Sequence, residues 1–338
     1  MVLTLEQQVG ALFMLHAPVE ALSLTTLELV RDRYVGGVFF AGRSLAGVGA
    51  IARLVASYRL AARTPGSLFF ATDQEGGYVQ VLRGAGFSDL PSAVSQARCG
   101  GSLLANATIW GRELYHAGIN VNLAPVADLV DTIPAADNAP IGYFDRHYGQ
   151  TPASVIAGAG AFAAGMQTAG VIPTLKHFPG LGRVAANTDK ATNVVDNYTS
   201  VNDVSIKVFT DLISYLSPQQ PAPWVMMSTA IYPNLDPINP AAFSPAAIGI
   251  LRDAGFNGVV ITDDLSKAKQ VSRYSLSERA VKAISAGVDI MLFSATAKDV
   301  PAAMAAVLAK AKTDPTFAAR VAESAHRVTR AQAALSLA

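Results

Sequence analysis

The sequence predicts an α/β chain folded as a single-domain (β/α)8 barrel of the TIM type over residues 1–338, and three observations carry that expectation. Eight short runs rich in β-branched and aromatic residues alternate with segments long enough for crossover helices. The runs are continuously apolar rather than alternating, as parallel strands covered on both faces should be. Polar residues gather where the runs end, at the C-terminal face on which barrel enzymes carry their chemistry. A doubly wound open sheet shares the first two features and competes with the barrel until motifs are considered.

In chain order the runs span 12–15, 37–41, 68–73, 121–128, 171–177, 224–230, 259–264 and 290–294. Asp73, Asp128, Lys176-His177, Ser228-Thr229 and Asp263-Asp264 close five of them. Any one of these acids could simply cap the following helix; together they favour a site. Residues 178–201 are polar, glycine-containing and weakly periodic, which predicts a long loop beside it. Residues 300–338 are alanine-rich with charges at helical spacing, broken at Thr313-Asp314-Pro315, and predict two packing helices.

With 51% apolar and 15% charged residues, a chain of 338 residues can build a large core, which excludes disorder and a small disulfide-stapled domain. The balance of 26 basic against 25 acidic side chains offers no footprint for nucleic acid. No run of about 18 apolar residues occurs, so no membrane-spanning segment is expected. The start has no basic stretch leading into an apolar one. As it stands that predicts a cytoplasmic chain, or an exported or lipid-anchored one if a leader has been removed, and the lone Cys99 leaves the compartment open.

Residues 261–266, Ile-Thr-Asp-Asp-Leu-Ser, bring adjacent carboxylates to the barrel mouth. Neighbouring side chains diverge on a strand, so one acid can face the pocket while the other turns to its surroundings. A carboxylate beside an anomeric carbon can attack it and form a glycosyl intermediate. A helix cap or a metal site is the plainer use of such a pair, but no His or Cys accompanies this one, and neither metal nor cofactor is expected. Asp73 opens Asp-Gln-Glu-Gly-Gly at 73–77, with Arg83 following. An acid beside a Gly-Gly turn can lie against a sugar ring, and the glycine spacing is not that of a phosphate loop. Lys-His-Phe-Pro-Gly at 176–180, and Asn-Ala-Pro-Ile-Gly at 138–142 leading to Asp145-Arg146, add donors for hydroxyls or an acetamido carbonyl. His147 follows Arg146 and could reach the pocket; Trp110 and Trp224 could stack on sugars, although Trp224 opens a strand and suits the core.

These motifs, with Val-Met-Met-Ser-Thr-Ala-Ile-Tyr-Pro at 225–233, stand in an order that resembles glycoside hydrolase family 3. The likeness is to its single-domain bacterial β-N-acetylglucosaminidases and covers roughly residues 5–297. The resemblance implies a barrel, a retaining β-glycosidase, and a carbohydrate as substrate or ligand. It puts the nucleophile on Asp263 and the sugar-binding groups on Asp73, Arg83, Arg146, Lys176 and His177.

One part of the pattern is missing. The family's general acid/base is a loop His paired with an Asp two residues before it; here those positions hold Asp189 and Asn187, and no histidine occurs between His177 and His326. Leu181, Thr229 and Lys267 replace two further histidines and a usual Met, and Tyr143-Phe144 look inserted before Asp145-Arg146. Asp189 is the candidate substitute, since a carboxylic acid partly buried over a sugar can have its pKa raised toward working pH. The expectation is a retaining β-glycosidase acting on β-N-acetylglucosaminides or related sugars through a covalent intermediate on Asp263. The alternatives are a weak or inactive relative that binds glycan fragments as a sensor or regulator, and a changed reaction, glycosyl transfer or phosphorolysis.

Overall fold

The computed structural model describes residues 3–63 and 68–335. Met1, Val2 and the last three residues of the predicted tail, Ser336 to Ala338, lie outside the described residues. Each predicted run overlaps one strand of the large sheet: β1 (Phe13–Pro18), β2 (Gly37–Ala41), β3 (Phe69–Thr72), β4 (Val121–Asn122), β5 (Ile172–Phe178), β6 (Trp224–Met227), β7 (Val260–Thr262) and β8 (Met291–Phe293). They pair in parallel in the order β7-β6-β5-β4-β3-β2-β1-β8. The two ends meet through an Ile261–Ile290 bridge and a 2.9 Å bond from the Leu265 amide to the Leu292 carbonyl. That closure makes a barrel and excludes the open sheet.

Continuous apolarity has its cause in this closure. Each strand has the barrel interior on one side and helices on the other, so Phe69–Thr72, Ile172–Phe178 and Trp224–Met227 are buried along their whole length. Trp224 meets Phe69 edge-on with ring centroids 4.7 Å apart, and Trp110 is buried against Phe162; both tryptophans are core residues. The helices begin where the sequence supplies caps. Thr151 and Ser275 form capping boxes ahead of Pro152–Thr168 and Leu276–Ala286. At Gly165 an added Cβ would lie 2.6 Å from the Ala107 Cβ, so Pro152–Thr168 and Leu103–His116 can touch only because that position is bare.

The tail forms Val300–Thr313 and Pro315–Leu335, broken at Asp314 as expected. Buried Asp289, just before β8, fastens the last helix. It accepts from Ser324 at 3.0 Å and Arg327 at 3.2 Å, and it also receives Arg252 at 2.7 Å. No helix among the described residues is long and apolar enough to cross a membrane.

Two short hairpins rise from the C-terminal face, Gln74–Gly76 with Val79–Gln80 after β3, and Ile231–Tyr232 with Asp236–Pro240 after β6. The long predicted loop runs from β5 to the helix Val204–Leu216, and a single bridge, Val195 to Ile231, is its only regular pairing among the described residues. It is nonetheless pinned. Arg183 bonds Asp131 at 2.8 Å and Asp203 at 2.8 Å, and the Tyr232 hydroxyl donates to the Gly180 carbonyl at 2.7 Å. A Cβ at Gly182 would fall 1.9 Å from the Leu129 carbonyl oxygen, so the loop packs against the β4 end only with glycine there.

Candidate active site

A cavity of about 440 Å³ opens at the C-terminal mouth, lined by residues from the ends of β2, β3, β5, β7 and β8 and by the long loop. Asp73, Arg146, Lys176, His177, Asp189 and Asp263 all line it. Arg83 lies outside the lining; its guanidinium bonds Asp89 and the Gly77 carbonyl.

The floor is a network of paired charges. Lys176 Nζ stands 2.8 Å from Asp73 and 2.6 Å from Glu75. Arg146 grips Glu75 in a fork, Nε to Oε2 and Nη2 to Oε1 at 2.8 Å each, and donates a third bond to the Pro140 carbonyl at 2.7 Å. Burial opposes charge on Glu75, but Arg146 and Lys176 outweigh it and hold the carboxyl down at about 2. Burial likewise works against both cations, and the acids beside them raise each above its ordinary value. Arg146 and Lys176 therefore remain charged.

His177 is set by a different acid. Asp128 Oδ2 lies 2.7 Å from His177 Nδ1, while its Oδ1 accepts from the His177 and Leu181 amides at 2.9 Å each. Lys176 and His177 both reach the cavity although they are neighbours on β5. The pairing with β6 shifts register between Lys176 and Phe178, and such a bulge re-aims side chains.

Across from the floor, Asp263 and Asp264 both line the cavity, but their carboxylates are engaged differently. Asp264 accepts from the amides of Ser266, Lys267, Ala268 and Ser294 and from the Ser266 hydroxyl, which commits both its oxygens to the backbone turn. Asp263 Oδ1 accepts the Asp264 amide at 2.8 Å, and the side chain faces the cavity.

The loop brings Asp189 to the same space. The Asn187 side-chain oxygen accepts the Asp189 amide at 2.8 Å; the Thr188 and Asp189 carbonyls accept the Gln270 and Lys269 amides at 3.0 and 3.3 Å. Asp189 is exposed at the cavity wall, with protein crowded around its carboxyl. That crowding, followed by the negative charges of Asp263 and Asp264, pushes its carboxyl up to about 6, with His177 and Arg146 acting in the other direction.

Three participants have roles the motifs alone did not reveal. Glu75, inside Asp-Gln-Glu, is the main counter-charge of the floor; its signal was the two-residue spacing from Asp73, which places both on one side of an extended chain while Gln74 turns away to bond Leu82. Asp128 orients His177. Asn138 is not a ligand group in the cavity: fully buried, it donates to the Leu181 and Val184 carbonyls at 2.8 and 2.7 Å and accepts from the Gly142 amide at 2.7 Å, stapling the Arg146 segment to the long loop. His147 is buried outside the cavity lining, and its Nδ1 has no hydrogen-bond partner among the described residues.

A barrel mouth that holds paired carboxylates and fixed cations around a sugar-sized space has the equipment of a glycosidase. The profile of the Glycosyl hydrolase family 3 N terminal domain matches residues 4–331, and the chain belongs to glycoside hydrolase family 3. A crystal structure of a β-N-acetylhexosaminidase from Beutenbergia cavernae superposes with a TM-score of 0.94 at 47% identity, covering 98% of this chain and 99% of that one. The β-hexosaminidase LpqI of Mycobacterium tuberculosis is 34% identical over 288 residues, 82% of this chain and 70% of LpqI. A β-hexosaminidase of Tolumonas auensis is 34% identical over 272 residues, 78% of this chain and 77% of its own length.

Proposed function

We propose that this protein is a retaining exo-β-N-acetylglucosaminidase in which Asp263 is the nucleophile and Asp189 replaces the family's loop histidine as general acid/base. The observation that carries the proposal is that Asp189 shares one cavity with Asp263 and has a carboxyl pushed up to about 6. Asp73, Arg146, Lys176 and His177 hold the hydroxyls and the acetamido group of the terminal sugar, with Glu75 and Asp128 keeping the cations and the imidazole in place.

In the first step the protonated Asp189 gives its proton to the glycosidic oxygen while the Asp263 carboxylate attacks the anomeric carbon. The C–O bond breaks, the aglycone leaves as an alcohol, and a glycosyl ester on Asp263 remains. In the second step Asp189, now a carboxylate, takes a proton from water as the water attacks the same carbon, and Asp263 is released. Asn187 fixes the loop through the Asp189 amide rather than by charge, so no imidazolium needs stabilising.

The test is hydrolysis of 4-nitrophenyl N-acetyl-β-glucosaminide by the wild type, Asp263→Ala and Asp189→Ala. Turnover that falls in both variants supports the assignment. Loss in Asp263→Ala alone, with N,N′-diacetylchitobiose as well as with the nitrophenyl glycoside, removes Asp189 from the mechanism, and no turnover in the wild type overturns the proposed activity in favour of a glycan-binding role. Inorganic phosphate in a parallel assay separates hydrolysis from phosphorolysis, because only the latter yields a sugar 1-phosphate.

A further inference from the structure

The two most exposed aromatic side chains among the described residues, Tyr78 (69%) and Tyr143 (65%), stand together beside the cavity mouth. They meet through Phe144. The Tyr78 and Phe144 ring centroids are 5.6 Å apart at 68°, and those of Phe144 and Tyr143 are 4.9 Å apart at 81°. Tyr78 sits in the turn of the hairpin after β3, and the next residue, Val79, lines the cavity. Its carbonyl accepts from Arg43, which lines the cavity as well, at 2.9 Å. Phe144 stands two residues before Arg146 of the cavity floor, in the segment Asn138 staples down. The ring cluster is therefore continuous with the floor, and the proposed chemistry does not use it.

An exposed cluster of aromatic surface beside a ligand cavity marks a place where something apolar is covered. The closed end of this cavity is the packed barrel interior, so a terminal sugar over Asp73, Arg146 and Lys176 must send its glycosidic oxygen outward past the rim. The group on the far side of that oxygen then lies at the rim, beside which the rings stand. In a β-linked pyranoside the hydroxyls are largely equatorial, and the ring faces present C–H bonds, which suit an aromatic face.

We propose that Tyr78, Phe144 and Tyr143 form a stacking platform for a second pyranoside, the leaving sugar of a β-linked oligosaccharide. This rests on the glycosidase reading of the cavity. The platform makes the protein prefer a sugar over a small aglycone, and it adds binding only for ligands of two or more rings.

The experiment measures binding by calorimetry in an Asp263→Asn background, so that no turnover interferes, with N-acetylglucosamine and N,N′-diacetylchitobiose as probes. The disaccharide should bind more tightly than the monosaccharide. Tyr78→Ala and Tyr143→Ala should each reduce that advantage by roughly three- to tenfold, with Tyr78→Phe retaining it and monosaccharide affinity unchanged throughout. No advantage for the disaccharide in the parent protein, or an advantage retained in both alanine variants, overturns the platform. Turnover of the nitrophenyl glycoside by the wild type is read separately. Its failure alongside an intact disaccharide advantage counts against the catalytic assignment and not against the platform.

Discussion

On the floor of the cavity the Glu75 carboxylate is held by a guanidinium fork and an ammonium at 2.6–2.8 Å, while across from it Asp189 is held through its backbone by Asn187 and Lys269 and its carboxyl faces two other acids. Both are carboxylates in the same cavity, and their protonation is driven in opposite directions: Glu75 down to about 2, Asp189 up to about 6. The cause is the sign of the neighbouring charge set against burial. A group that must hold a cation in a fixed place needs a paired, permanently ionised carboxylate. A group that must give up and recover a proton each turnover needs one that is under-paired near working pH.

That contrast can be broken from either side, and the largest effect is expected at Asp189, the proposed acid/base. Asp189→Ala should lower kcat for N,N′-diacetylchitobiose by about 10²–10⁴-fold, and lower the glycosylation step for the nitrophenyl glycoside much less, because nitrophenolate leaves without a proton. Equal losses on both substrates in single-turnover measurements would mean that Asp189 shapes the cavity rather than moving a proton. In wild type, kcat/KM for the disaccharide should fall as pH rises through about 6, where Asp189 loses its proton, and that limb should be absent in Asp189→Asn.

On the floor, Glu75→Gln leaves Arg146 and Lys176 buried without their shared acid and should cost about 3–5 kcal/mol of stability, read by chemical denaturation at pH 7. Its sign with pH follows from the lowered carboxyl. The stabilisation from Glu75 is present above its ordinary value of 4.5 and is lost as pH falls toward 2, so the gap between wild type and variant should close in acid. A gap that stays constant between pH 7 and pH 3 would show that charge is not what Glu75 contributes.

The smallest expected effect has the opposite sign. Because the Asp189 carboxyl is raised in the fold, folding loses stability as pH climbs from its ordinary value of 3.8, where the unfolded chain ionises first, and the loss is complete above about 6. Asp189→Asn should therefore have a higher Tm than wild type at pH 8, with the difference shrinking toward pH 4. A variant less stable than wild type at pH 8 would place Asp189 on the structural side of the comparison.

Much of this is legible in the sequence. Continuous apolarity of the runs at 37–41, 68–73 and 224–230 follows from strands covered on both faces, and that property is local enough to read. Asp73, Lys176 and Asp263 could be named because a polar residue ending an apolar strand stands at the barrel mouth whatever the details of packing. Arg83 was expected in the sugar-binding set and lies outside the cavity lining, since Asp89, six residues on, offers its guanidinium a nearer partner. Asn138 was expected to present donors to a sugar, and is instead a staple, since its partners at 181 and 184 lie more than forty residues away in sequence.

The sequence by itself determined the class of fold, the strand ends that carry polar groups, and the absence of a loop histidine where Asp189 stands. These are matters of composition, periodicity and identity, each contained within a few neighbouring residues. Tertiary structure alone decided that Glu75 joins Arg146 across 71 residues, that Asp128 orients His177 across 49, and that Tyr78 meets Phe144 at the rim. It also decided the protonation of Asp189. A carboxyl's pKa depends on which charges and how much water surround it, and both are set only when the β5 and β7 loops close over the barrel.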